Sequence, residues 1–221
     1  MASTVGNGDV PVLQLDTMVL LNGGTATGLP LAGNAVTANN NVTLGSVTLA
    51  EGSTLNNSTK ELGSTLVDLA SLKITVATND FQVERIVFYN SGTASDGDFS
   101  NFKINYNNNV ITSGVMKNKY VTFDLKACTT DCLITKGNNK TFGVTGDIVN
   151  GSGRTMNLDI SKTVHVLALD TKNGVYVTPT DNATAMTNTI TVSTGKLSVS
   201  KTNDIPARDV PVNSTNVALG T

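Results

Sequence analysis

Few residues in this chain carry strong intrinsic chemistry. Cys128 and Cys132 are its two cysteines, separated by Thr129, Thr130 and Asp131 in the stretch ACTTDCLI. If the flanking runs YVTFDL and LITK form a tight hairpin, their Cα atoms fall within the disulfide range of about 4.4–6.8 Å. A disulfide is the first expectation and free thiols the second. The closed loop is small, so its entropic stabilisation would be about 2 kcal/mol. A structural zinc site wants roughly four ligands, and one further histidine cannot complete one. Asp96 and Asp98 in SDGDFSN are candidate calcium ligands, because acidic oxygens in a glycine-containing turn suit that ion. The EF-hand spacing is not met and no Glu closes the loop, so a solvated Asp-Gly turn competes. Asp147 in TGDI and Asp159 in NLDI are the acids that could complete such a site.

Catalytic patterns are missing. His165, the only histidine, sits in the strand-like KTVHVLAL, where a structural or exposed role is expected. NGSGRT offers Gly151 and Gly153 without the helix that a phosphate loop needs behind it, and reads as a hairpin turn. STGKLS lacks the leading glycine and the hydroxyl after the lysine. No Gly-X-Ser-X-Gly elbow with triad partners is present. The expectation is a protein that is not an enzyme and has no cofactor beyond a calcium ion at Asp96 and Asp98.

Composition narrows the setting. Charged residues are 14% of the 221, the net charge is −2, and hydrophobic residues are 39%. Thinly spread Lys and Arg leave no electrostatic footprint for nucleic acid. No run approaches the length of a membrane span. MASTVGNGDV has neither a basic leader nor an apolar h-region, which reads as a mature form or an excised segment. Asn, Thr, Ser and Gly supply the polar surface, as in extracellular β proteins. Asn-X-Ser/Thr sequons begin at Asn41, Asn56, Asn57, Asn139, Asn150, Asn182 and Asn213. They mark exposed loops and are possible glycosylation sites. Trp is absent, which weakens sugar binding, although Tyr106 and Tyr176 are candidate platforms.

Short alternating runs must position these residues. FQVERIVFY (81–89) places Phe81, Val83, Val87 and Tyr89 on one face, with Arg85 interrupting and Ile86 and Phe88 opposite. NFKINY alternates Phe102, Ile104 and Tyr106. Similar runs continue to KLSVS, with turn signals such as SDGD, YNNN, KGNN and TKNG between them. That rhythm predicts an all-β antiparallel sandwich. STKELGSTLVDLAS is the exception, since Ser58, Glu61, Leu62, Leu66 and Leu69 fit a capped helix.

A later copy of this segment decides against the helix. Aligning Gly45 with Gly195, 150 residues on, matches the chain without a gap. Val47, Leu49, Leu55 and Leu62 fall on Leu197, Val199, Ile205 and Val212, while Ser64, Thr65, Val67 and Leu69 fall on Ser214, Thr215, Val217 and Leu219. The second copy carries Pro206 and Pro211, which a helix interior does not accept. Both copies are therefore read as extended. In the first, the apolar face passes from Val67 and Leu69 to Leu72, Ile74 and Val76, predicting a bulge near Ala70–Ser71.

The runs DFQVERIVFYNSGTASDGDFSNFKI, VTFDL, LITKGNNKTFGVTGDI and NGSGRTMNLDI resemble the immunoglobulin-like repeats of bacterial S-layer-like and cell-surface structural proteins. The resemblance covers residues of about 61–205 and implies an envelope or appendage role without catalytic residues. The predicted division is an N-terminal partial module or extension at 1–60, a complete immunoglobulin-like sandwich at 61–205, and an orphan first strand at 206–221. The expected function is that of an extracellular structural subunit, in a filament or surface layer, which joins copies of itself head to tail by strand sharing. Val210, Val212, Val217 and Leu219 are the candidate inward residues of the donated strand. The alternative is an adhesin or carbohydrate-binding module in a tandem array, with surface glycans as partners.

Overall fold

Runs rich in Val, Ile, Thr and Phe with a two-residue period become strands because one pleated face can be buried while the other stays wet. A computed structural model describes residues 6, 8–20, 23–24, 26–39, 41–181, 188–194 and 209–215. In chain order the strands are β1 (Gln14–Leu15), β2 (Leu31–Ala32), β3 (Ser46–Glu51), β4 (Ser58–Lys60), β5 (Val67–Ala77) and β6 (Phe81–Asn90). They continue with β7 (Phe99–Tyr106), β8 (Asn109–Lys117), β9 (Tyr120–Asp124), β10 (Leu133–Ile134), β11 (Asn139–Ile148) and β12 (Thr155–Met156). The series closes with β13 (Leu158–Asp159), β14 (Val166–Asp170), β15 (Val175–Val177), β16 (Thr180–Asp181) and β17 (Ile190–Val192). The one helical element among the described residues is a 3₁₀ turn at Thr163–His165.

The fold is all-β and antiparallel in its main ladder, as the alternation predicts. One layer runs β7–β11–β5–β3 and the other β9–β6–β14–β15, with β8 paired to β7 on one side and to β9 on the other. The two layers enclose a core in which Phe81, Phe88, Phe102, Phe123 and Phe142 are each under 2% exposed. Phe88 and Phe123 meet edge to face at 6.1 Å. Burying each such ring contributes about 2–3 kcal/mol. Two short parallel pairings depart from the pattern, β16 beside β3 and β17 beside β4.

Single-residue bulges decide which side chains reach this core. On β5, Val144 faces Ala70 and Thr145 faces Asp68, which leaves Leu69 between them as the extra residue. Parity changes there, so Val67 and Leu69 point inward before the bulge and Leu72, Ile74 and Val76 after it. A second bulge lies in β6, where Leu167 faces Arg85 and Ala168 faces Val83, with Glu84 skipped. It corrects the reading of FQVERIVFY. Phe81 and Val83 are buried, but the inward set continues with Ile86 and Phe88 rather than Val87 and Tyr89. The segment considered for a helix is instead β4, a turn, and β5.

The sandwich also begins earlier than residue 61. β3 pairs with β5 along its whole length, from Ser46 opposite Ala77 to Glu51 opposite Leu72. Val47 and Leu49 are each 1% exposed, and β4 pairs with β17. Residues 46–60 therefore belong to the same body as β5, because β3 supplies the neighbour that β5 needs on its second edge. The expected end at residue 205 lies outside the described residues.

A buried carboxylate fixes where β3 starts. Asp170, 0% exposed, accepts the backbone N–H of Gly45 at 3.0 Å and the amides of Asn79 at 2.7 Å and Asn173 at 2.8 Å on Oδ2. Its Oδ1 takes the N–H groups of Lys172 and Asn173. Gly45 must be a glycine there, since a Cβ would stand 2.4 Å from the Phe81 ring. Burial alone raises the Asp170 pKa, but the hydrogen bonds from Gly45, Asn79 and Asn173 outweigh it and hold the carboxyl well below its ordinary value.

A group with a depressed folded pKa stabilises above the unfolded value of about 3.9, and that contribution fades as pH falls below it. Asp170→Ala is expected to lower the unfolding free energy at neutral pH by about 3 kcal/mol. In urea melts the gap between variant and parent should narrow as pH drops below about 4. A gap constant down to acid pH would contradict this role.

Candidate assembly site

The residues singled out for chemistry are dispersed, and most are already engaged. Cys128 and Cys132 are bonded, with Cα atoms 5.6 Å apart. They do not close a hairpin, because β9 and β10 pair with the same edge of β6 at different points, Arg85 opposite Asp124 and Gln82 opposite Leu133. The bonded loop is a detour that leaves β6 beside the Glu84 bulge and returns. Gln82 holds it by donating its side-chain amide to the Cys128 carbonyl, and Cys132 is fully buried.

Asp96 and Asp98 serve turns. Both Asp96 oxygens accept backbone N–H groups, of Asn118 at 2.6 Å and Lys119 at 2.9 Å. Those two residues form the β8–β9 turn with φ of 52° and 67°, a conformation costly for lysine. The bonds from Lys119 and Asn118 lower the Asp96 pKa. Asp98 Oδ2 accepts the Ser95 N–H at 2.6 Å and Arg154 Nη1 at 2.8 Å. Asp147 accepts Leu66 N–H and the Asn101 amide, and Asp159 accepts the Ser91 hydroxyl. These four acids are not brought together, and among the described residues no three His, Cys, Asp or Glu side chains gather as metal ligands.

His165 ends the 3₁₀ turn rather than lying in a strand. Its ring stands edge-on to Tyr120 at 5.7 Å, and Nδ1 lies 3.3 Å from the Ser161 hydroxyl. Burial, then the charges of Lys162 and Arg85, lower its pKa. NGSGRT closes a turn in which Arg154 N–H donates to Gly151 O at 2.8 Å. Lys140 Nζ sits 4.7 Å above the Tyr106 ring, while Tyr176 is 54% exposed and its hydroxyl donates to Glu84 at 2.7 Å. Asn41, Asn56, Asn57, Asn139, Asn150 and Asn213 are exposed, and Asn182 lies outside the described residues.

What the structure does build is a seat for the repeated segment. Glu61 to Ser64 form a turn in which Gly63 has φ +84° and Ser64 N–H donates to Glu61 O at 3.1 Å. Pro211 to Ser214 form the same turn 150 residues later, with Asn213 at φ +71° and Ser214 N–H on Pro211 O at 3.2 Å. Positive φ at the third position is what restricts such a turn to Gly or Asn. After the first turn the chain docks on β11. Gly63 N–H donates to Ile148 O, Ile148 N–H to Ser64 O, and Leu66 N–H to Asp147. Val67 and Leu69 then enter the core at 5% and 1% exposure. In the second copy Val210 and Val212 are exposed at 43% and 91%, while Val217 and Leu219 lie outside the described residues.

No protein family matches the sequence, and no curated protein does. Among solved structures, CaCohA2 from Clostridium acetobutylicum is similar at 14% identity, over 67% of this chain and 91% of that one, with a TM-score of 0.35. The sixth cohesin of scaffoldin B from Acetivibrio cellulolyticus, in complex with a Cel5 dockerin, is 11% identical over 68% of this chain and 100% of that one, with a TM-score of 0.27. The seventh ScaB type I cohesin from Pseudobacteroides cellulosolvens is 14% identical over 71% and 97%, with a TM-score of 0.25. A likeness this distant carries no partner, ligand or residue role across to this chain.

The engaged carboxylates and the small bonded loop give two expected outcomes. Calcium or a chelator should leave the melting temperature unchanged, and a rise with calcium would contradict the turn-supporting roles of Asp96 and Asp98. Replacing both cysteines with Ser should lower the unfolding free energy by about 2 kcal/mol, measured by urea melts beside an alkylation assay for free thiols.

Proposed function

We propose that this protein is a structural, non-enzymatic module of an extracellular surface assembly, a filament or a surface layer, whose copies join head to tail by strand sharing. Residues 206–221 are the donated strand, with Val217 and Leu219 as its inward side chains; Val212 is the counterpart of Leu62, which is 46% exposed, and Val210 that of exposed Lys60. The observation that carries this reading is the nature of the repeat. The second copy preserves Gly45, Val47, Leu49, Val67 and Leu69 as Gly195, Leu197, Val199, Val217 and Leu219. Those first-copy positions are the ones seated in the core or packed under Phe81. Exposed Ser46 and Asp68 are replaced by Lys196 and Ala218. Packing would keep the core positions in this way, and exposed Thr65 recurs as Thr215 as well. A head-to-tail contact that does not close by symmetry propagates into a fibre or sheet.

The setting follows from chemistry already described. A bonded cysteine pair persists outside a reducing compartment, and low charge with exposed Asn-X-Ser/Thr sites suits a surface protein. No helix among the described residues is long and apolar enough to cross a membrane.

The test is mass photometry of the full chain beside a variant lacking residues 206–221. The full chain should give species larger than a monomer as concentration rises, and the deletion should remove them. Assembly that survives the deletion, or a full chain that stays monomeric throughout, would sink the reading.

A further inference from the structure

The seat on β11 that holds Val67 and Leu69 has a second occupant available in the same sequence. We infer that residues 211–219 of one copy replace residues 61–69 on β11 of another, so that copies join by exchanging this strand within the sandwich. The inference rests on the strand-sharing reading above and specifies where the shared strand goes: into the place of β5's first half, not onto a free sheet edge.

Each contact made by the present occupant has a counterpart in the second copy. Gly63 N–H and Ser64 O bond Ile148 at 3.0 and 2.8 Å, and Asn213 and Ser214 carry the same backbone groups. Leu66 N–H reaches Asp147 Oδ1 at 2.8 Å, and Asn216 supplies that donor. Val67 lies opposite Gly146, where a Cβ would come within 2.9 Å of Leu69 Cδ1. The seat is thus cut for Val and Leu at this spacing, and Val217 and Leu219 reproduce both. The incoming segment is already bent correctly, since the turn at Pro211–Ser214 matches that at Glu61–Ser64 in φ and in hydrogen bond.

Backbone conformation makes the exchange competitive. Leu66 is held at φ +53°, a left-handed conformation that is costly for a branched apolar residue. The second copy places Asn216 there, a residue type that enters this region far more readily. In the opposite sense, Gly220 aligns with Ala70, which is 2% exposed, so the second copy forgoes one buried methyl. The two occupants are therefore closely matched, and concentration selects between a self-filled monomer and an exchanged chain of copies.

Cysteine pairing in the full chain tests this. Asp68 lies directly opposite Thr145, so Ala218 faces Thr145 only after exchange. Thr145→Cys combined with Ala218→Cys, mildly oxidised at concentrations where the chain assembles, should give a reducible ladder of covalent oligomers, whereas Thr145→Cys alone should not. Leu66→Asn, which relieves the native occupant, should raise the melting temperature and diminish the ladder. Assembly without crosslinking would overturn the exchange while leaving strand sharing elsewhere intact. A crosslink confined to single chains would overturn it too, because the segment would then fill its own seat. A chain monomeric at every concentration would remove both the exchange and the broader reading. A ladder undiminished by Leu66→Asn would refute the strain argument.

Discussion

A carboxylate with no exposure to water must find its hydrogen-bond donors inside the protein, and Asp170 finds five from three separate parts of the chain. An unpaired buried charge costs several kcal/mol, so these donors hold Gly45, Asn79 and the turn after β14 in one place. That constraint sets the residue just before β3 against the last of β14 and joins the two layers at one end. Once Gly45 is fixed beneath the Phe81 ring, alternation carries Val47 and Leu49 into the core and brings β3 along β5.

On the proposed reading, the same constraint also sets the length of the repeat. The sandwich runs from the residue that Asp170 grips to β17, which ends at Val192, and Gly195 begins the second copy with the residue type that the joint requires. On the proposed reading, a period of 150 residues is the span of one folded unit. Reproducing a turn at Pro211–Ser214 with the φ sign and hydrogen bond of Glu61–Ser64 supports the alignment independently of residue identity.

How much of this was legible depended on the range of the interaction involved. Period-two runs declared the strands, and the shift from Leu69 to Leu72 declared a bulge, because both are local consequences of the pleat. The Glu84 bulge was hidden, since Arg85 looked like a single interruption and gave no hint that Ile86 and Phe88 would succeed Val83. Asp170 stands beside the turn signal TKNG with no local mark of its role, and its grip on Gly45 spans 125 residues of sequence. For the same reason the sequence alone places residues 46–60 with an N-terminal partial module or extension. The cysteine loop was legible as a bond but not as a detour, because collinear pairing of β9 and β10 on β6 has no local signature. The seat on β11 was half legible: the repeat offers the candidate second occupant proposed above, but only the fold shows the strand on which the first copy lies.

A reconstruction of assembled material by cryo-electron microscopy, resolved well enough to trace strands, tests the central claim most directly. On this account the strand beside β11 in each subunit connects to the C-terminal segment of a neighbour, with Leu219 packed against Gly146. If the strand on β11 instead connects to the subunit's own β4, with Val67 and Leu69 in place, the copies are not joined by exchange.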